Sequence, residues 1–255
     1  MVIEALHITA ALYLLAGLAA ISGIALPRAR FGRATRWLLA AGAILHGIAF
    51  TRLHTLPNPP QLTDLPSALS LAAWLAVIVN LLLLRGGRLE GLAVLVAALA
   101  FLGVFYESFA LYAPAPAADA GSWPHLHVIL ASAGLALLGI AGLAGMLFLA
   151  EDRALKAKRV PALRRGLPSL EALDRVNATT IAMGFPLLTC GVIAGMLWTQ
   201  GETGHLFVGG AHAVWSVIAW AIYLALVVAR FAAGWRGREA AACAGDQGKF
   251  WEMHD

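Results

Sequence analysis

Charged residues are scarce in this sequence. Asp, Glu, Lys and Arg make up 13% of the 255 residues and hydrophobic residues make up 60%, whereas an ordinary soluble domain is about 25% charged. A soluble core cannot absorb such an excess of apolar side chains. The composition therefore excludes an ordinary soluble domain and favours a protein that lies within a lipid bilayer.

Cysteine pairs and the common nucleotide or hydrolase motifs are also missing. The two cysteines, Cys190 and Cys243, form no CxxC pair, which excludes a disulfide framework and a thiol-redox motif. The sequence contains no GxxxxGKS/T, GxGxxG, GxSxG or HExxH motif, so nucleotide, hydrolase and zinc-protease chemistry have no support. We therefore expect a protein that is not an enzyme.

Seven apolar runs are long enough to cross a bilayer, which takes roughly 20 residues of helix. The runs are continuous and rich in Leu and Ala, whereas strands of an outer-membrane barrel alternate apolar and polar residues. The sequence predicts an all-α fold, a polytopic transmembrane helical bundle that forms a single domain over residues 1–255. The predicted spans are residues 5–26, 37–53, 68–84, 89–111, 128–150, 178–198 and 211–231, followed by a cytoplasmic tail at 232–255.

Basic residues occur in alternate loops. Arg28, Arg30, Arg33 and Arg36 lie between the first two spans, and further clusters occupy residues 85–88, 153–175 and 230–238. The intervening loops carry almost no Lys or Arg, with Arg52 as the exception. By the positive-inside rule, the N-terminus is predicted to lie outside and the C-terminus in the cytoplasm. The excess of 18 Lys and Arg over 14 Asp and Glu is thus read as a topology signal, and no nucleic-acid partner is expected.

The histidines fall on the predicted outer side, with only His254 in the cytoplasmic tail. The others lie in the outer half of a span, at a span end or in an outer loop: His7, His46, His54, His125, His127, His205 and His212. Imidazoles gathered on one side of a helical bundle suit a metal or haem iron. Ionisable groups inside a membrane are costly, which makes His46 and His127 the main candidates.

Each of these candidate residues also has an ordinary structural explanation. His46 serves equally well as a neutral imidazole bonded to a neighbouring helix backbone, and His54, His125 and His205 fit interfacial positions better than ligand positions. The carboxylates Glu4, Glu90 and Glu107 lie near predicted span ends and are interpreted as interfacial. Trp123 and Trp215 fit either an aromatic belt or haem stacking, and the GxxxG step of Gly191 and Gly195 indicates helix packing.

Four segments resemble the membrane proteins of the HemX/CcsA type, the cytochrome c assembly superfamily. They are the WPHLH segment that opens residues 123–159, LPSLEALDR at 167–175, GFPLLTCGVIAGMLW at 184–198, and the W-Y-R-GWRGR pattern within 214–238. Two features depart from that family: GETGHLFVGGAHAV at 201–214 replaces its tryptophan-rich WWD segment, and a further span expected after Arg238 is missing. The sequence therefore resembles the HemX branch more than CcsA itself.

The resemblance implies a multi-pass protein of the bacterial inner (cytoplasmic) membrane that holds or moves haem for cytochrome c assembly. It implies haem bound on the outer side by His127, and it matches His46 to a histidine in the second span of the HemX branch. Together with the placement of the other residues, this predicts haem b with His127 as a ligand, His46 or His212 as the second ligand, and Trp123 or Trp215 stacked on the macrocycle. The expected partners are haem, membrane lipid and other cytochrome c assembly proteins.

Two alternatives stay open. The first is a regulatory membrane protein that binds a tetrapyrrole-pathway enzyme, glutamyl-tRNA reductase, through the basic segment 151–175. The second is an electron-transferring cytochrome b, which normally needs paired histidines on facing helices to hold two haems across the membrane. The lack of histidines in the inner half of the spans argues against it.

Overall fold

The computed structural model describes residues 2–26, 29–56, 59–62, 64–84, 90–111, 122–156, 168–206 and 211–232. These residues form seven α-helices and no strand, which confirms the predicted all-α bundle. The helices are α1 (Val2–Ala25), α2 (Ala29–His54), α3 (Leu65–Leu83), α4 (Glu90–Ala110), α5 (Ser122–Lys156), α6 (Leu170–Thr203) and α7 (Ala211–Val227), and α7 continues into a π-helical segment, Val228–Ala232.

Six helices are long and apolar enough to cross a membrane, namely α1 and α3 to α7. The exception among the seven, α2, carries four arginines and two histidines along its 26 residues. The chain is therefore a multi-pass membrane protein. The span predicted within α2 and the orientation of the termini stay predictions.

Helices α5 and α6 are longer than their predicted spans. They contain 35 and 34 residues, which at about 1.5 Å per residue is well beyond the roughly 30 Å hydrocarbon core. Both ends of the predicted basic loop, residues 151–156 and 170–175, are helical. Residues 157–167 of that loop and residues 233–255 of the predicted tail lie outside the described residues.

The bundle has two parts, formed by α1 to α4 and by α5 to α7. In the first part, α1 packs against α2 and α4, and α3 packs against α4; in the second, α5 packs along α6, and α7 packs against α6. Contacts between α3 and α5 join the two parts. A buried apolar cluster is formed mainly by side chains of α1 and α4, such as Tyr13 and Leu92, and other helices add side chains such as Ile140 of α5.

Glycines allow α5 and α6 to approach closely. A Cβ atom at Gly134 would lie 2.7 Å from the backbone nitrogen of Leu188, and one at Gly191 would lie 2.7 Å from that of Ala131. Small residues permit such backbone contact between transmembrane helices. The GxxxG step of α6 therefore packs on α5, as a helix-packing interpretation predicts.

An ion pair fixes the end of α7 against the start of α6. Arg230, in the π-helical segment, donates two hydrogen bonds to the carboxylate of Asp174, at 2.6 and 2.7 Å. The Arg230 side chain is only 13% exposed. This fork geometry is the strong form of an ion pair.

We expect Asp174→Asn to lower the free energy of unfolding by about 1 kcal/mol, because the Arg230 guanidinium then loses its charged partner. The measurement is thermal unfolding of the detergent-solubilised protein. Glu171→Gln is the matched control, since Glu171 pairs with Arg175 at 2.9 Å but both side chains are more than three-quarters exposed. A Glu171→Gln effect as large as that of Asp174→Asn would contradict the conclusion that the Asp174–Arg230 pair stabilises the fold more than an exposed ion pair does.

Candidate functional site

The predicted histidine ligands gather on one side of the bundle, where α1, α3, α5 and α7 begin and α2, α4 and α6 end. We call this side the histidine face. His127 near the start of α5 contacts the last third of α6. His125, two residues earlier, lies near enough to His54 at the end of α2 to lower the pKa of His54. Whether this face lies outside the cell stays a prediction.

His127 is seated on the glycines of α6. Its Nδ1 lies 2.7 Å from the carbonyl oxygen of Gly191, and a Cβ atom at Gly195 would lie 2.7 Å from ring atoms Nδ1 and Cε1. The missing side chains of the GxxxG step thus make room for the imidazole. The sequence alone indicates the GxxxG step and His127 as separate features and does not show that they are in contact.

The hydrogen bond to Gly191 fixes the tautomer of His127. A carbonyl oxygen only accepts, so Nδ1 must carry the proton, and in a neutral imidazole the lone pair is then on Nε2. Metal-ligating histidines commonly donate their other ring N–H to a backbone carbonyl in this way. His127 therefore has the ring orientation and tautomer of a metal ligand that binds through Nε2.

His46 is held differently, in a buried polar chain that crosses four helices. Its Nδ1 lies 3.2 Å from the hydroxyl of Tyr13 on α1, and its Nε2 lies 2.9 Å from Oγ of Ser70 on α3. Ser70 is in turn 2.5 Å from Oε2 of Glu107 on α4. Each of these four side chains is at most 1% exposed. Both ring nitrogens of His46 therefore bond to side chains, whereas the structural interpretation of the sequence expects a bond to the backbone of a neighbouring helix.

The position of Glu107 corrects the interpretation of this residue as interfacial. It lies one turn before the end of α4, yet it is 1% exposed. The side chain points toward α3 and bonds Ser70, whereas an interfacial carboxylate would face water or lipid head groups. A polar chain of Tyr13, His46, Ser70 and Glu107 is the result, and we call it the four-helix chain.

His54 lies near enough to His125 for their charges to interact. Nδ1 of His54 donates to the Phe50 carbonyl at 2.9 Å, and its Nε2 is buried with no hydrogen-bond partner among the described residues. Burial lowers the pKa of His54 and the nearby His125 lowers it further, while the bond to Phe50 opposes both. Because Nδ1 donates to Phe50, the neutral form of His54 has its lone pair on Nε2.

The remaining predicted site residues are more scattered. Trp215 on α7 is 68% exposed, and the side chains of Trp123 and His212 lie outside the described part of the structure. Within the described residues, no group of three or more His, Cys, Asp or Glu side chains could hold a metal ion.

An apolar groove of about 760 Å³ opens between α3, α4 and α5. Its volume is typical of small-molecule sites, and its walls include Leu69, Ala73, Phe105, Phe109, Leu135 and Leu143. His46, His127 and Trp215 do not line it. The groove and the predicted ligands are therefore separate features of the bundle.

Comparison with known proteins gives a family and several relatives. Residues 62–245 match the family model described as Cytochrome C assembly protein. A cytochrome c biogenesis protein CcsA from Crocosphaera subtropica is 34% identical over 94 residues, which is 37% of this chain and 28% of the relative. The protein of the same name from Synechocystis is 33% identical over 112 residues, 43% of this chain and 32% of the relative. The matched segments thus cover less than a third of these relatives.

Proposed function

Because the chain belongs to the cytochrome c assembly protein family, we propose that it takes part in cytochrome c biogenesis by holding haem at the histidine face. Six membrane-spanning helices and a histidine with the tautomer of a metal ligand support this role. The proposal includes location in the bacterial inner membrane, with the histidine face outside. It also makes the protein a haem carrier rather than an enzyme.

His127 is the ligand in this proposal. It lies within the matched residues 62–245. Its Nδ1 bond to Gly191 leaves the lone pair of the neutral ring on Nε2, which is the atom that would bind the metal. Haem is the cargo, and its iron and macrocycle supply whatever redox chemistry follows. The chain itself contributes an oriented imidazole and the glycine seat that keeps water away from one side of the ring.

The second ligand comes from the same face. His212, the second residue of α7, stays the candidate that the sequence predicts, and the imidazole of His54 near His125 offers another donor. His46 is left out of the ligand set, because iron could bind it only after the bond to Tyr13 or to Ser70 is broken. His46 also lies outside the matched residues.

The test is the haem content of the full chain, purified in detergent from haem-replete cells. We expect a Soret band in the oxidised and reduced absorption spectra, and we expect His127→Ala to lower the ratio of haem to protein about tenfold or more. Alanine variants of His212, His54 and His125 then identify the second ligand.

His205→Ala is the matched control, since His205 follows α6 on the same face with an exposed side chain. It is expected to retain haem as the unsubstituted protein does. A folded protein that never takes up haem, or a His127→Ala variant with full haem content, would refute the proposal.

A further inference from the structure

The four-helix chain of Tyr13, His46, Ser70 and Glu107 has a direction set by its hydrogens. The Ser70 hydroxyl has a single proton and lies within hydrogen-bond distance of both His46 Nε2 and Glu107 Oε2. It can donate to only one of them and must accept from the other. The four side chains therefore have two hydrogen-bonding arrangements, which differ by one proton and share the same heavy-atom geometry.

In one arrangement Glu107 is a carboxylate. Ser70 then donates to Glu107 and accepts from Nε2–H of His46, and the Tyr13 hydroxyl donates to Nδ1. In the other arrangement Glu107 is a carboxylic acid. Its O–H donates to Ser70, Ser70 donates to Nε2 of His46, and Nδ1–H of His46 donates to the Tyr13 oxygen. The tautomer of His46 thus depends on whether Glu107 is protonated, although Ser70 lies between the two side chains.

The surroundings of Glu107 favour the acid. Its side chain is 1% exposed within a membrane-spanning helix, where an uncompensated charge is expensive. Within the described residues Glu107 has no ion pair with a Lys or Arg, and its Oε1 has no hydrogen-bond partner. Its hydrogen-bond partners are the hydroxyls of Ser70 and Ser67 and include no cation, so this environment suits a neutral group.

Ionisable groups on the helices packed against α4 are few. Tyr13 on α1 and His46 on α2 belong to the four-helix chain, α3 contributes the hydroxyls of Ser67 and Ser70, and the imidazoles of α5 on this side are His125 and His127. Glu4 and His7 near the start of α1 and Arg52 and His54 near the end of α2 lie on the same side of the bundle. The hydrogen bonds through Ser70 connect His46 to Glu107.

We propose that Glu107 is a buried proton-binding site, which holds its proton as a carboxylic acid and, through Ser70, sets the tautomer of His46. This site is independent of haem, since none of its residues belongs to the proposed ligand set.

Infrared spectroscopy of the full chain in detergent at neutral pH tests the proposal. We expect a C=O stretching band of a protonated carboxyl group, and we expect Glu107→Gln to remove it. Ser70→Ala is expected to shift the same band to higher frequency, because the acid then loses its acceptor. Glu171→Gln, which replaces a largely exposed carboxylate, is the control and should leave the band unchanged.

Nitrogen NMR of labelled histidine in the same protein gives a second readout, which does not depend on how Glu107→Gln folds. We assign the signal with His46→Gln and expect the tautomer with the proton on Nδ1. The Nε2–H tautomer, or an imidazolium, together with no carboxyl band sensitive to Glu107, would overturn the proposal. Haem content plays no part in either measurement, so failure here is distinct from failure of the haem proposal.

Discussion

Gly191→Ala is expected to separate α5 from α6 and to displace His127 together with them. The added Cβ would lie 2.7 Å from the backbone nitrogen and 3.0 Å from the Cα atom of Ala131. Backbone atoms cannot turn away as a side chain can, so the helices themselves must move. We expect a loss of about 1–3 kcal/mol in the free energy of unfolding.

The same substitution should lower haem retention. His127 lies one turn before Ala131 on α5, and the carbonyl that fixes its tautomer belongs to Gly191 itself. Movement of the two backbones therefore breaks the bond that orients the imidazole. Thermal unfolding and the ratio of haem to protein, both measured on the purified full chain, check the two effects.

Gly142→Ala provides the control for helix composition. Gly142 lies on α5 with no heavy atom within 4 Å of an added Cβ, so alanine should be tolerated there and should favour the helix slightly. Gly134→Ala, which would meet the backbone of Leu188, should resemble Gly191→Ala in stability. Equal effects at Gly142 and Gly191 would contradict the close-approach explanation.

The helices of this fold could be predicted because apolar length is a local property of the sequence. The ends of α5 and α6 could not, because residues such as Glu151 and Arg175 read as loop by hydropathy although they continue a helix stabilised by pairs like Glu171 with Arg175. The GxxxG step at Gly191 and Gly195 predicted close packing, but the sequence does not say which helix supplies the partner.

The four-helix chain shows the limit of sequence reasoning most clearly. Position along a helix indicates depth in the membrane, and it placed Glu107 correctly near a helix end. It does not give the direction of the side chain, which is set by the packing of α4 against α3 and the presence of Ser70, 37 residues away. For the same reason the sequence does not show that the two ring nitrogens of His46 bond to side chains 33 and 24 positions away.

Gly184→Ala is expected to loosen α7, because α7 depends on α6 for its packing. Tyr223 on α7 donates to the Thr180 carbonyl at 3.0 Å, and Trp220 donates to the Thr189 hydroxyl at 3.1 Å. A Cβ atom at Gly184 would overlap the Tyr223 hydroxyl and approach Cβ of Leu137 to 2.9 Å. Tyr223 is fully buried, so it has no open direction in which to turn, and we expect a loss of about 1–3 kcal/mol.

A double substitution separates this overlap from a general effect of alanine. Alone, Tyr223→Phe should destabilise the protein by about 1 kcal/mol, because the bond to Thr180 is lost. In the Gly184→Ala background the same change should raise stability, because it removes the oxygen that the new methyl group meets; the ring and Leu137 still crowd the site, so the rescue is partial. Unfolding of the four proteins measures the coupling. Additive effects would mean that Tyr223 moves freely and that α7 is held by its other bonds to α6, those of Trp220 with Thr189 and of Arg230 with Asp174.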